Sequence, residues 1–351
     1  MKKIHVLVID DSPLMQAWLK KILSADPDIS EVSTAQDPSE ARTYLQTRRP
    51  DVVTLDVEMP GMDGISFLKE IMSARPLPVI MVSSYTQENR QVTIKALSLG
   101  AVDFIPKPGP GAGEEKETFP QRLLTKVKEA AQARTVSHLS FPAPMELLQP
   151  VKKPIRRPSR ERPSLTIGIG ASTGGTQALS FLLSRLPDDM PPIIIVQHMP
   201  AQFTASFANH LDQVSLLTVK EARLGCRLKS GQVWVIPGGR HGLVQQDRQG
   251  LFLTLNENPP VNHHRPSVDV LFHSLALAVQ EKGIGILLTG MGEDGARGLL
   301  AMRKQGATTL AQDEWSSTIF GMPQAAIKCG AAQEVAPLDD VPAWLIKKVR
   351  S

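Results

Sequence analysis

Short apolar runs separated by polar segments with helical spacing set the rhythm of residues 4–122. HVLVI (5–9), VVTL (52–55) and VIMV (79–82) are rich in β-branched residues. Such runs suit strands covered on both faces of a parallel sheet, because a half-exposed strand would alternate apolar with polar. Between them, LMQAWLKKIL (14–23) repeats its apolar residues at helical spacing, and DPSEARTYLQ (37–46) opens on an aspartate able to cap a helix. The pattern predicts a five-stranded, doubly wound β/α domain over residues 4–122.

The rhythm then stops, and 123–164 reads as a linker. Its C-terminal end, PVKKPIRRPSRERP (150–163), holds four prolines and six Lys or Arg against a single Glu. Proline blocks regular helix and sheet, so the segment is expected to be semi-extended. The alternation resumes after Leu165. TIGIG, IIIVQ (193–197), VWVIP (233–237), IGILLTG (284–290) and ATTLA (307–311) read as strands, and VLFHSLALAVQ (270–280) as a helix. GLVQQDRQGLFLTLN (242–256) has the form of an antiparallel hairpin turning at Asp247–Gly250. Residues 165–349 are therefore expected to form a second α/β domain, mostly parallel with an antiparallel hairpin.

Composition adds mainly exclusions. A chain of 351 residues with 42% apolar content can build two cores. Aromatics at 5% argue against a base-stacking surface, and a net charge of +4 owes much to the linker, so no nucleic-acid partner is expected. Cys226 and Cys329 stand far apart, outside any CxxC pattern, which fits a reducing compartment. The N-terminal MKKIHVLVIDDS reads as a first strand, not a signal peptide. No apolar stretch approaches the roughly 20 residues that span a bilayer. A soluble, cytoplasmic protein without membrane insertion is the expectation. The four tryptophans are expected in the cores or at a domain contact.

In the first domain, Asp10 and Asp11 follow the first apolar run and Asp56 ends VVTL. Strand C-termini of a doubly wound sheet line one crevice, so these carboxylates converge. Their mutual repulsion calls for a hard cation, and oxygen ligands with room for water suit Mg²⁺. Ser83 adds a hydroxyl and Lys107 an ammonium, which completes a site for phosphoryl transfer to Asp56. With DD at 10–11, LDVEMPGMDG at 55–64, VSS at 82–84 and KP at 107–108, the domain resembles response-regulator receivers. That resemblance implies Asp56 as phosphoacceptor and Mg²⁺ on the acidic cluster Asp10, Asp11 and Asp56 with the Glu58 backbone carbonyl. It also places Phe104 where receivers carry an aromatic switch, and makes the second domain the regulated output.

The second domain opens on GIGASTGGTQ (168–177). Its glycines could cradle a dinucleotide pyrophosphate, or they could hold Ser172 on a sharp turn as a nucleophile. A dinucleotide site needs an acidic residue at the tip of the next strand, and there IIIVQ runs into His198. A serine needs an adjacent base, and the base a carboxylate. Asp294 in LLTGMGEDGARG follows another apolar run, with Glu293 beside it as a rival. Oxyanion donors are available at Gly174–Gly175, where the first helical N–H groups are expected to be unpaired, and at Met291–Gly292. His263-His264-Arg265 could suggest a metal, but neighbours in an extended segment face opposite ways; a loop shaping the substrate groove fits better.

The blocks IGASTGGTQAL, VQHMP, VNHHRPSVDVLF, LTGMGEDGARGL and AQDEWSSTIFGMPQAAI resemble the chemotaxis protein-glutamate methylesterases, the CheB family. The resemblance implies Ser172 as nucleophile, His198 as base and Asp294 as orienting acid, with Met291 supplying an oxyanion-hole amide and Thr173 flanking the nucleophile. It implies hydrolysis of glutamyl methyl esters on chemoreceptor cytoplasmic domains without a cofactor, possible deamidation of receptor glutamines, and a chemotaxis histidine kinase as phosphodonor. A phospho-regulated dinucleotide-binding protein is the alternative.

Overall fold

The computed structural model describes residues 3–59, 63–84, 86–109, 113–133 and 165–351. The chain divides into two compact units, Met1–Met145 and Glu146–Ser351. The basic, proline-rich run at 150–163 lies outside the described residues.

The first unit contains β1 (Ile4–Ile9), α1 (Pro13–Ser24), β2 (Ile29–Ala35), α2 (Pro38–Thr47), β3 (Val52–Asp56), α3 (Gly64–Ala74), β4 (Val79–Ser83), α4 (Gln87–Ser98), β5 (Asp103–Pro106) and α5 (Gly113–Gln132). Its strands pair in parallel in the order β2-β1-β3-β4-β5. Every residue of β3 and β4 is buried, the polar Thr54, Asp56 and Ser83 included. Asp37 caps α2 by accepting the Ser39 and Glu40 N–H groups at 2.7 and 2.9 Å.

The linker expected from residue 123 begins too early. Residues 123–132 are the second half of α5, and Leu123, Val127 and Ala130 are fully buried in the domain core. Their i, i+4, i+7 spacing puts them on one helical face, and without them the sheet would be open on that side. Trp18 of α1 stacks on Phe119 of α5 at 4.8 Å.

The second unit contains β6 (Thr166–Ala171), α6 (Gly175–Leu183), β7 (Ile193–Gln197), α7 (Ala201–Val214), β8 (Thr218–Glu221), β9 (Gln232–Val235), β10 (His241–Asp247), β11 (Gly250–Asn256), α8 (Val268–Ala278), β12 (Gly283–Leu287), α9 (Ala296–Lys304), β13 (Thr308–Gln312), α10 (Met322–Lys328), β14 (Glu334–Ala336) and α11 (Val341–Arg350). A seven-stranded parallel sheet runs β14-β13-β12-β6-β7-β9-β8. β10 and β11 form the expected hairpin, with Asp247 opposite Gly250.

The chain enters this sheet at its centre and then winds outward in both directions, β7 on one side of β6 and β12 on the other. That reversal opens a crevice at the C-terminal ends of β6, β7 and β12. Helix α8 closes tightly on β6 because two glycines offer no side chains there. A Cβ on Gly168 would lie 2.4 Å from Leu275 Cδ1, and one on Gly170 would lie 2.3 Å from Val268 Cγ1. Leu271, Phe272 and Leu275 are fully buried as a result, each contributing about 1.5–3 kcal/mol of hydrophobic stabilisation.

Trp315 lies outside the cores, 76% exposed on a turn beyond β13. Among the described residues no helix is long and apolar enough to cross a membrane.

Candidate active site

Ala171 and Gln197, the last residues of β6 and β7, face each other in register, and the His198 N–H donates to the Ala171 carbonyl at 3.1 Å. The next residues, Ser172 and His198, therefore leave the sheet side by side. Ser172 is pinned from both neighbouring strands. Its N–H donates to the Thr289 carbonyl at 3.0 Å, while its carbonyl accepts Gln197 Nε2 at 2.8 Å and the Gly175 N–H at 2.7 Å. Gly175 was expected to offer an unpaired N–H; the Ser172 carbonyl takes it, which tightens the turn instead.

Gly174 adopts φ 78°, and a Cβ there would fall 2.3 Å from Thr318 Oγ1. A Cβ on Gly175 would fall 2.2 Å from Gln197 Oε1. The glycines thus answer to close packing, and Thr318 covers the start of α6 where a pyrophosphate would have to approach. The dinucleotide alternative is not favoured.

Asp294 is 1% exposed and heavily hydrogen-bonded. Its Oδ2 meets His198 Nε2 at 2.8 Å and accepts the Val268 N–H at 2.6 Å. Its Oδ1 accepts Ser267 Oγ at 2.7 Å, Asn262 Nδ2 at 2.8 Å and the Asp269 N–H at 3.3 Å. Val268 and Asp269 begin α8, so the carboxylate lies at the positive end of that helix. Burial alone would raise its pKa; the hydrogen bond and charge of His198, then the bonds from Ser267 and Asn262, outweigh burial and hold it well below the carboxylate range. Gly295, at φ 91°, turns the chain into α9 immediately afterwards. Glu293, the rival carboxylate, is exposed and reaches Arg297 at 3.5 Å, away from His198.

With Nε2 on Asp294, the second ring nitrogen of His198 is committed to the other side. Nδ1 is buried and has no hydrogen-bond partner among the described residues. Gly290 brings the β12 turn against the serine: a Cβ there would lie 2.7 Å from Ser172 Cβ. The Gly290 N–H donates to Ile319, and its carbonyl accepts the N–H groups of Gly321 and Met322 at 3.0 and 2.8 Å. Met291 leaves this pinned residue half-open to solvent, at 38% exposure. Thr173 is buried, and its carbonyl accepts Thr289 Oγ1 at 3.0 Å.

The first unit holds its own polar cluster. Ligand oxygens of Asp10, Asp11 and Asp56 lie within 4.8 Å of one another. Lys107 Nζ is 2.6 Å from Asp56 Oδ2 and 2.9 Å from Asp10 Oδ2. Burial raises the Asp56 pKa, and Lys107 opposes this without cancelling it. For Lys107 burial works downward, but Asp56 and Asp10 prevail and its pKa is raised. Ser83 is fully buried at the end of β4 and accepts Thr93 Oγ1 at 3.0 Å. Phe104 is buried too. The Glu58 N–H points at Asp56 Oδ1 at 3.4 Å.

Residues 167–345 match the family model described as CheB methylesterase, and 6–113 match the response regulator receiver domain. A protein-glutamate methylesterase/protein-glutamine glutaminase of Bordetella bronchiseptica is 47% identical over 97% of this chain and 96% of its own length. One of the same name from Chromohalobacter salexigens is 45% identical over 99% of this chain and 97% of its own. The catalytic domain of Thermotoga maritima CheB methylesterase superposes with a TM-score of 0.52 at 38% identity, covering 52% of this chain and 98% of that one.

The chain belongs to the CheB methylesterase family. Within a CheB methylesterase unit, Asn262 was beyond sequence reasoning, and His264 was read only as part of a groove-shaping loop. Val261–His264 is not extended. Val261 and His264 exchange N–H···O bonds of 3.1 and 2.9 Å, and Asn262 and His263 between them adopt φ 51° and 66°. This tight turn sends Asn262 Nδ2 to both Asp294 and Asp269, each at 2.8 Å, and lays the His264 ring on that of His198. Asparagine tolerates the left-handed region better than most residues, so NH between Val and His was the available signal.

Proposed function

We propose that the chain hydrolyses γ-glutamyl methyl esters on chemoreceptor cytoplasmic helices, releasing methanol, with Ser172, His198 and Asp294 as nucleophile, base and orienting acid. The reading is carried by one observation: Asp294 holds His198 by Nε2 while Nδ1 stays buried and unpartnered at the strand end beside Ser172. Ser172 Oγ attacks the ester carbonyl and its proton passes to Nδ1. Backbone amides at Thr173 and Met291 receive the oxyanion. As the tetrahedral intermediate collapses, the C–OCH₃ bond breaks and Nδ1–H protonates the leaving methoxide. Water, deprotonated by His198, then attacks the acyl carbon; the C–Oγ bond breaks, the imidazolium returns the proton to Ser172 Oγ, and the glutamate carboxylate is freed. An amide at the same position gives ammonia by the same route, which fits the glutaminase part of the relatives' name.

Phosphorylation of Asp56 by a chemotaxis histidine kinase is the proposed control. Asp10, Asp11, Asp56 and the Glu58 carbonyl would hold Mg²⁺. Three carboxylates whose oxygens lie within 4.8 Å of one another carry more negative charge than Lys107 offsets, and such a cation would neutralise the rest. Mg²⁺ would offset charge on the phosphoryl group; Lys107 would pair with a phosphoryl oxygen and Ser83 Oγ would donate to another. The receiver is proposed to restrain the esterase until Asp56 is phosphorylated.

Methanol release from a methylated receptor, comparing wild type with Ser172→Ala, tests the nucleophile. Near-complete loss is expected, and wild-type rates from the alanine variant would end the proposal. For control, the 164–351 fragment should outpace the intact unphosphorylated chain.

A further inference from the structure

We infer that His264 is a positioning residue for His198, whose ring it backs face to face so that the imidazolium formed during ester attack is stabilised. The inference rests on the Ser172–His198 reading above. The two rings stack with centroids 3.6 Å apart and planes 10° from parallel. Nothing about this contact is loose, because the turn carrying His264 is locked by the paired Val261–His264 backbone bonds. The Asn262 amide anchors the same turn to Asp294 and Asp269. One turn therefore grips the acid with one residue and backs the base with another.

The physical effect differs between ground and transition state. Two neutral imidazoles stacked in this way gain dispersion alone. Once His198 takes the serine proton it is a cation over a π face, and that attraction adds to the stack only then. An interaction stronger in the transition state raises kcat and leaves ground-state binding nearly unchanged.

Among the described residues, charged groups meet the edges of the stack or are paired elsewhere; Asp269 accepts Asn262 Nδ2 at 2.8 Å. Asp294 meets the Nε2 edge of His198. Arg265 directs its guanidinium to the Glu257 and Asn258 carbonyls at 2.7 and 3.2 Å. His241, near the acid, accepts the Ser267 N–H through Nδ1. His263 precedes the ring in the chain, and Glu293 pairs outward with Arg297.

The test uses the full chain, phosphorylated, on methylated receptor, with methanol release followed across pH. For His264→Ala a kcat lower by about 2- to 30-fold is expected, with KM within twofold. Losing the π partner removes stabilisation of the imidazolium, so the acid limb of kcat/KM should move to lower pH by about 0.4–1.5 units. His264→Phe keeps a ring that cannot ionise, and should restore most of kcat and return the limb. Wild-type kcat and an unmoved limb in His264→Ala would overturn the inference. So would a phenylalanine variant that keeps the wild-type thermal midpoint yet is as slow as alanine. Ser172→Ala in parallel separates the two claims: if it stays active, the catalytic reading fails; if it is dead while His264→Ala behaves as wild type, only the role of His264 fails.

Discussion

His198 Nε2 stands 2.8 Å from Asp294 Oδ2, and that same oxygen accepts the Val268 N–H at 2.6 Å. One carboxylate therefore sets the direction of the imidazole and caps helix α8. Asp294→Asn should cut ester hydrolysis by about 10⁴-fold, the scale seen when a triad acid loses its charge. It should also lower the thermal midpoint, since hydrogen bonds to a charged acceptor contribute about 1.5–3 kcal/mol each. Each kcal/mol is worth about 2–4 °C for a unit of this size. Glu293→Gln should stay within twofold of wild type in both assays. A dead Glu293→Gln beside an active Asp294→Asn would reverse the assignment.

The pH dependence of folding follows from the same carboxylate. Its pKa in the folded state is held below the unfolded value, so the folded state binds fewer protons than the unfolded one as acid is added. The stabilisation is fully present above about pH 4 and is lost as the pH falls toward the folded pKa. Urea unfolding of the catalytic unit between pH 7 and 2 should steepen below pH 4, and Asp294→Asn should flatten that dependence. Parallel curves for the two proteins would contradict the buried charge.

Asp56 runs in the opposite sense. Burial raises its pKa, so the folded receiver holds a proton more readily than the unfolded chain and loses stability as pH rises through the folded value. In Mg²⁺-free buffer at pH 8, Asp56→Asn should unfold at higher urea than wild type. Adding Mg²⁺ should close or reverse the gap, because a cation at 100 times its Kd stabilises by about 2.7 kcal/mol and the asparagine variant binds it less well. EDTA should restore the original order. A Mg²⁺ response equal in the two proteins would remove Asp56 from the metal site.

Gly174→Ala tests the nucleophile turn. The position has φ 78°, and the new methyl group would meet Thr318 Oγ1 at 2.3 Å. Left-handed backbone costs a side-chain-bearing residue about 1–2 kcal/mol, and overpacking adds about 1–3. Loss of hydrolysis with a lowered melting temperature is expected, and Thr318→Ala in the same chain should recover part of both. A fully active single variant would show that the turn is not held as described.

The interior strands were legible because both their faces are buried, leaving β-branched runs that few other structures explain. β2, β8 and β14 were not. ISEVSTA, TVKE and EVA are edge strands with polar positions, whose pairing is decided by the neighbouring strand. Ser172, His198 and Asp294 could be read because each follows an apolar run, which places strand-end chemistry on one rim. His264 and Asn262 could not, since their positions depend on two consecutive left-handed residues that reverse an apparently extended segment. The boundary at 123 failed for a simpler reason: LLTKVKEAA carries its apolar face on a strongly charged helix, and the charge masks the period.

A single side chain that both orients an imidazole and caps the start of a helix cannot be retuned for one task without disturbing the other. A lineage adapting this crevice to a different ester would have to leave Asp294 alone. Diversification is then confined to the edges, where Met291 and Trp315 stand open to solvent and no helix end depends on them.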